Sequence, residues 1–126
     1  MQPVQLFDIA AQQARWLAVR QSAIAGNIAN ANTPGYSAMD VEPFERVLDG
    51  TRVAMAATQA SHFTGGATSD ALALQPQGDE PAMMPSGNTV TLEDELVKAG
   101  DVRRAFELNT AIVKSFHRMM LMTVRP

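Results

Sequence analysis

The side chains able to do chemistry are few in this 126-residue chain, and they are far apart. His62 and His117 lie in different kinds of segment. Neither has a carboxylate or second histidine at ligand spacing, so both read as solvated or packing residues rather than metal ligands or general bases. Gly65-Gly66-Ala67-Thr68-Ser69 has the glycines of a phosphate loop but no lysine of the GxxxxGK[ST] pattern and no apolar strand before it, and so reads as a turn. Glu93-Asp94-Glu95 is explained by the first turn of a helix, where negative charge meets the helix dipole. Arg103-Arg104 reads as a solvated helix face. With no cysteine, thiolate chemistry, disulfides and cysteine-bound metals are excluded. No acid, base and nucleophile come together, and no catalytic residue, metal, cofactor or small-molecule substrate is indicated.

What the chain has instead is two amphipathic stretches and a hard corner. Over residues 4–32, Ala10, Ala14, Leu17, Gln21, Ile24, Ile28 and Ala31 recur at alternating spacings of four and three, the seam of a coiled coil. At 1.5 Å per residue such a helix is ~40 Å long and cannot bury its stripe against itself. It meets Asn27-Ile28-Ala29-Asn30-Ala31-Asn32-Thr33-Pro34-Gly35-Tyr36. Pro34 disfavours the helical region at Thr33 and Gly35 supplies a positive φ, so Thr33 to Tyr36 is predicted to turn the chain.

A second helix is predicted over 91–124. Thr91 and Asp94 resemble a capping box at its start, and its seam runs Leu92, Leu96, Ala99, Val102, Phe106, Asn109, Val113, Phe116, Met120. Met83-Met84 and Met119-Met120-Leu121-Met122 are adaptable packing residues, read here as facing a partner more than a private core. Between the helices, Met39 and Val41 alternate with polar residues in a short extended stretch, Phe44 to Leu48 suits a helical turn or two, and glycines and prolines punctuate residues 51–90. The predicted fold is mainly α, with two long N- and C-terminal helices pairing as a coiled coil around an irregular, loop-rich central segment. The predicted divisions are 1–36, 37–90 and 91–126.

Composition agrees with one domain of ordinary globular usage, 46% apolar and 18% charged. The net charge is −3, with seven acids against two bases over 37–90 and near-neutral ends. Eight arginines and two lysines scattered among thirteen acids form no basic face, which argues against nucleic acid as a partner. No apolar run reaches the ~18 residues of a membrane span. Met1-Gln-Pro-Val-Gln-Leu-Phe-Asp8 lacks the basic start of a Sec-type signal peptide, so the expectation is a cytoplasmic protein or one exported by a route that reads no such signal.

The asparagine-rich corner at the end of a heptad helix resembles the signature of the bacterial flagellar axial proteins, the rod, hook and hook-associated subunits. Asn88-Thr-Val-Thr-Leu-Glu-Asp-Glu-Leu96 is similar to that family's entry into its C-terminal helix, and Thr58-Gln-Ala-Ser-His-Phe63 to a short central patch of its proximal rod members. The likeness covers roughly residues 5–45 and 86–122, and the chain lacks the large inserted domains of hook and distal rod proteins.

The resemblance implies a structural subunit, not an enzyme, of the proximal rod in the periplasm. It would be exported by the flagellar type III apparatus without a cleaved signal, and would build a tube that transmits torque and encloses the export channel. Its partners would be further copies and other rod proteins, together with MS-ring or export-gate-adjacent components. Asn27, Ile28, Asn30, Asn32, Thr33, Pro34, Gly35 and Tyr36 would form the assembly corner. Leu17, Ile24, Ile28, Leu96, Phe106, Val113, Phe116 and Met120 would hold the helices together. The ends of an isolated subunit are expected to be largely disordered and to fold on assembly. Another short flagellar rod subunit, a helical coiled-coil adaptor without a flagellar role, or a small enzyme stands as the alternative.

Overall fold

The structure, a computed structural model, describes residues 3–49, 72, 74–78 and 84–124. The His62, Gly65 to Ser69, Thr58 to Phe63 and Met83 readings lie outside the described residues. The elements run α1 (Pro3–Ala29), β1 (Met39–Val41), α2 (Phe44–Asp49), β2 (Leu74–Pro76) and α3 (Leu92–Val124). Two long helices dominate, and they lie antiparallel. Phe7 packs edge-on against Phe116 with ring centroids 5.6 Å apart, Asn109 Nδ2 donates to Ala10 O at 3.0 Å, and Asn27 Nδ2 donates to Glu95 Oε2 at 3.1 Å.

Pro3 opens α1, where an absent N–H has no intrahelical partner to lose, and Ala, Gln and Leu carry the helix forward. Its last turn tightens: Asn30 N donates to both Gly26 O and Asn27 O, Ala31 N to Ile28 O, and the Asn30 side chain returns to Gly26 O at 2.8 Å. The predicted turn follows, closed by Tyr36 N donating to Thr33 O at 3.3 Å, with Gly35 at φ +71° in its third position. At the other helix, α3 starts one residue after Thr91, with Glu93, Asp94 and Glu95 in its first turn.

β1 forms where Met39 and Val41 alternate, and pairs antiparallel with β2 in the register Met39↔Pro76, Asp40↔Gln75, Val41↔Leu74. A two-stranded ribbon alone is marginal. Here it is laid against α1, and α2 caps it with Phe44 tilted over Trp16 at 5.8 Å. The buried core is Trp16, Leu17, Ile24, Val41 and Val102, ringed by Val19, Ile28, Phe44, Val47, Leu72, Ala99 and Ala105.

The α1–α3 seam follows the expected line in part and departs from it at Leu92, Leu96, Phe106 and Met120 of α3 and at Gln21 of α1. Leu17 and Ile24 are buried, and Ile28, Val113 and Phe116 are half-buried. Leu96 is 58% exposed, because a strict seven-residue step back from Val102 lands on Glu95, and Glu95 occupies the interface instead. Phe106 is half exposed. Met120, 37% exposed, stands level with Pro3, the first described residue of α1, and the last turn of α3 continues past it. On α1, Gln21 is exposed, and Trp16, Ala23 and Asn27 take the buried positions as the helix face turns toward the ribbon.

Candidate assembly corner

Three segments distant in sequence meet at the end of α1, and asparagines join them. Asn27 has no exposed surface and uses its full bonding capacity. Its Nδ2 donates to Met39 O at 2.8 Å and to Glu95 Oε2 at 3.1 Å, while its Oδ1 accepts from Met39 N at 2.9 Å and from the Tyr36 hydroxyl at 3.3 Å. The paired bonds to Met39 give β1 a polar edge partner on a helix. Few other side chains could do this, because the position needs two donors and a two-fold acceptor on a short planar group.

Asn88, 1% exposed, performs the matching task from the other side. Its Nδ2 is shared among Asn30 O, Ala31 O and Thr33 O at 2.9, 3.0 and 2.8 Å, and its Oδ1 accepts from Val90 N at 2.7 Å. The carbonyls at the end of α1 have no intrahelical partner, so a residue almost sixty positions away caps them. Backbone bonds extend the joint: Gly35 N to Ser86 O, Thr89 N to Tyr36 O, and Ala38 N to the Thr89 hydroxyl at 2.8 Å. Gly87, at φ +74°, brings its Cβ site to within 3.7 Å of Gly35 Cα, so two glycines face each other across the turn.

Glu95 is a buried acid, 2% exposed, and its charge is compensated. Lys98 Nζ approaches Glu95 Oε1 at 3.0 Å and also donates to Gln77 Oε1 at 2.6 Å, which ties α3 to the residue after β2. Beside them is a polar cleft of about 10 Å³, room for one water, bounded by Ala38, Thr89, Thr91 and Asp94 as well. On the opposite flank Trp16 Nε1 donates to Glu42 O at 2.7 Å, and Arg20 pairs with Asp40 while lying over the Trp16 ring at 5.3 Å.

The corner therefore gathers Asn27, Asn30, Gly35 and Tyr36 of the expected set, with Ile28 half-buried against the core. Thr33 donates its hydroxyl to Asn30 Oδ1, while Asn32, Thr33 and Pro34 face outward. Sequence reading placed Asn88 at the entry to the second helix and Glu95 in its first turn without a role in the corner, and did not single out Lys98 or Trp16. The strict heptad step would have found Glu95, but Asn88 and Lys98 carry no local signal. His117 is exposed on α3, and among the described residues no group of three His, Asp or Glu side chains could hold a metal ion. No described helix is long and apolar enough to cross a membrane.

The polar groups of the corner are spent on backbone and on one another, which makes a rigid joint. A different surface is left open. Val97, Leu108, Ile112, Met119 and Met122 are 45–66% exposed and, at 100° per residue, fall on one stripe of α3 turned away from α1. On α1, Ala11, Arg15, Ala18, Ser22, Ala25 and Ala29 are all exposed, again at spacings of four and three. A helix pair with apolar or small outer stripes is shaped to lie among other helices.

Comparison with known proteins agrees with this shape. A family model described as "Flagella basal body rod protein" matches residues 9–36, which span most of α1, from Ile9 onward, and the turn itself. The flagellar basal body rod protein FlgB of Agrobacterium fabrum is 50% identical over 99% of this chain and 96% of its own length. FlgB of Salmonella typhimurium is 32% identical over 78% of this chain and 77% of its own, and that of Escherichia coli 33% identical over 73% and 72%.

Proposed function

The chain belongs to the FlgB family of flagellar basal body rod proteins, and from that premise we propose how it works: its terminal helices pack side by side with those of neighbours into a tube. It is a structural rod subunit of the flagellar basal body. The single observation that carries the mechanism is the pairing of a closed, fully bonded corner with long helices whose outer stripes are exposed. A subunit of a torque-bearing tube needs both. The joint fixes the angle at which the chain leaves the helical core, and the stripes supply lateral contact.

In this reading residues 1–36 and 91–126 form the tube wall that transmits torque and encloses the export channel. Residues 37–90 are the variable central segment. Asn27, Ile28, Asn30, Asn32, Thr33, Pro34, Gly35 and Tyr36 set the corner. Leu17, Ile24, Ile28, Val113 and Phe116 hold the pair from within, and Leu96, Phe106 and Met120 belong to contacts with neighbours. The partners are further copies, other rod proteins and MS-ring or export-gate-adjacent components. Delivery is through the flagellar type III apparatus to the periplasmic rod, without a cleaved signal. No reaction is assigned.

The test is a strain lacking this gene. Complementation by the wild-type gene restores motility, and the protein co-purifies with basal bodies. A stable soluble helical oligomer absent from basal bodies would favour the adaptor reading. Replacing His62 and His117 together by Gln leaves motility intact if no chemistry is involved; lost motility with normal assembly would reopen the enzyme reading.

A further inference from the structure

The methionine-rich ending of α3 takes no part in the corner and has a chemistry of its own. The chain has eight methionines and no cysteine, so thioethers are its only sulfurs. Met39 is half-buried in β1, with its backbone N and O both held by Asn27. Met119 and Met122, by contrast, are 55% and 66% exposed. At 100° per residue these two share the outward stripe of α3 with Leu108 and Ile112, while Met120, 37% exposed, falls on the side that carries Val102 and Asn109. A thioether open to solvent is the side chain that a hydroperoxide oxidises when no thiol competes for it.

We propose that Met119 and Met122 form an oxidation-sensitive site on the free subunit, where conversion to the sulfoxide turns an apolar stripe polar and bars it from a covered interface. The oxidant is a hydroperoxide. A sulfur lone pair attacks one peroxide oxygen, the S–O bond forms as the O–O bond breaks, sulfur gives up two electrons, and the leaving hydroxide takes a proton to become water. The new oxygen is an acceptor, and Leu108 and Ile112 beside it on the stripe have no side-chain donor to offer, so covering it is unfavourable. The pairing of α1 with α3 does not run through this stripe, and the corner keeps its bonds. Methionine sulfoxide reductase reverses the step, which makes it a switch. The block to assembly, and it alone, rests on the rod reading.

Peptide mass spectrometry of the purified full-length protein in hydrogen peroxide tests the site. Met119 and Met122 should form sulfoxide at least about fivefold faster than Met39, and equal rates or a faster Met39 would overturn the proposal. A peroxide pulse during induction of the wild-type gene, in a strain lacking it, should lower incorporation into basal bodies at least about fivefold against untreated cells. Met119→Leu/Met122→Leu, measured against its own untreated level, should lose less than about twofold. Met84→Leu, at a methionine 46% exposed outside α3, should stay as sensitive as the wild type. A double variant as sensitive as the wild type, or resistance conferred by Met84→Leu, would each contradict the assigned site. Absence of the protein from basal bodies without peroxide would overturn the rod reading and leave the oxidation rates standing.

Discussion

The two ends of the helix pair are built from different materials. At the corner, polar residues are buried and fully bonded: Asn27, Asn88 and Glu95 together link α1, the 84–91 segment, β1 and the start of α3. At the far end apolar residues are exposed: Phe106, Ile112, Met119 and Leu121 stand 45–55% open. Buried polar groups accept only one geometry, because any other leaves donors or acceptors dry and unpaired. Exposed apolar stripes accept many partners. A subunit of a curved assembly needs specificity at its joint and latitude along its length, and the chain separates the two along one helix pair.

Substitutions can break that contrast, and those in the joint should cost most. Asn27→Leu removes all four of its hydrogen bonds and strands Glu95 and Met39, so about 3–5 kcal/mol of stability should be lost in denaturant unfolding of the corner. Leu17→Ala, at a site 1% exposed, should cost about 2–4 kcal/mol by the same measurement.

Gly35→Val comes next. The Cβ has open space, but φ +71° is a conformation that a β-branched residue resists, so about 1–3 kcal/mol of strain is expected. Rod assembly, read as motility and basal-body yield, should fall more than export does; normal motility would show that the corner tolerates another path. Phe116→Ala should change monomer stability by less than about 1 kcal/mol while impairing assembly, because its surroundings in one chain are half open. Arg103→Ala, which removes an exposed pair with Glu107, should shift stability by about 0.3 kcal/mol or less.

Much of the architecture was legible in local pattern. Helix ends are written in capping and breaking residues: Thr91 before α3, and Thr33 to Tyr36 after α1. The Gly35 turn followed from Pro34 and Gly35 alone. The seam positions Ala99, Val102, Asn109, Val113 and Phe116 followed from heptad spacing, but apolarity misled at Phe106 and at Leu96, where the residue that fits the spacing is the acid beside it. The joint was not legible for a plain physical reason. Asn27 and Glu95 are 68 residues apart, and a hydrogen bond between them leaves no periodic trace in either segment. The same holds for Asn88, whose value lies in three carbonyls it reaches only in the folded chain.

A reconstruction of the intact basal body at side-chain detail tests the central claim most directly. The account predicts this chain in the rod with Asn27, Tyr36 and Glu95 bonded as they are here, and with Leu108, Ile112, Met119 and Met122 buried against neighbouring helices. A rod in which that stripe faces solvent, or in which the corner is rearranged while the helices pack, would contradict it.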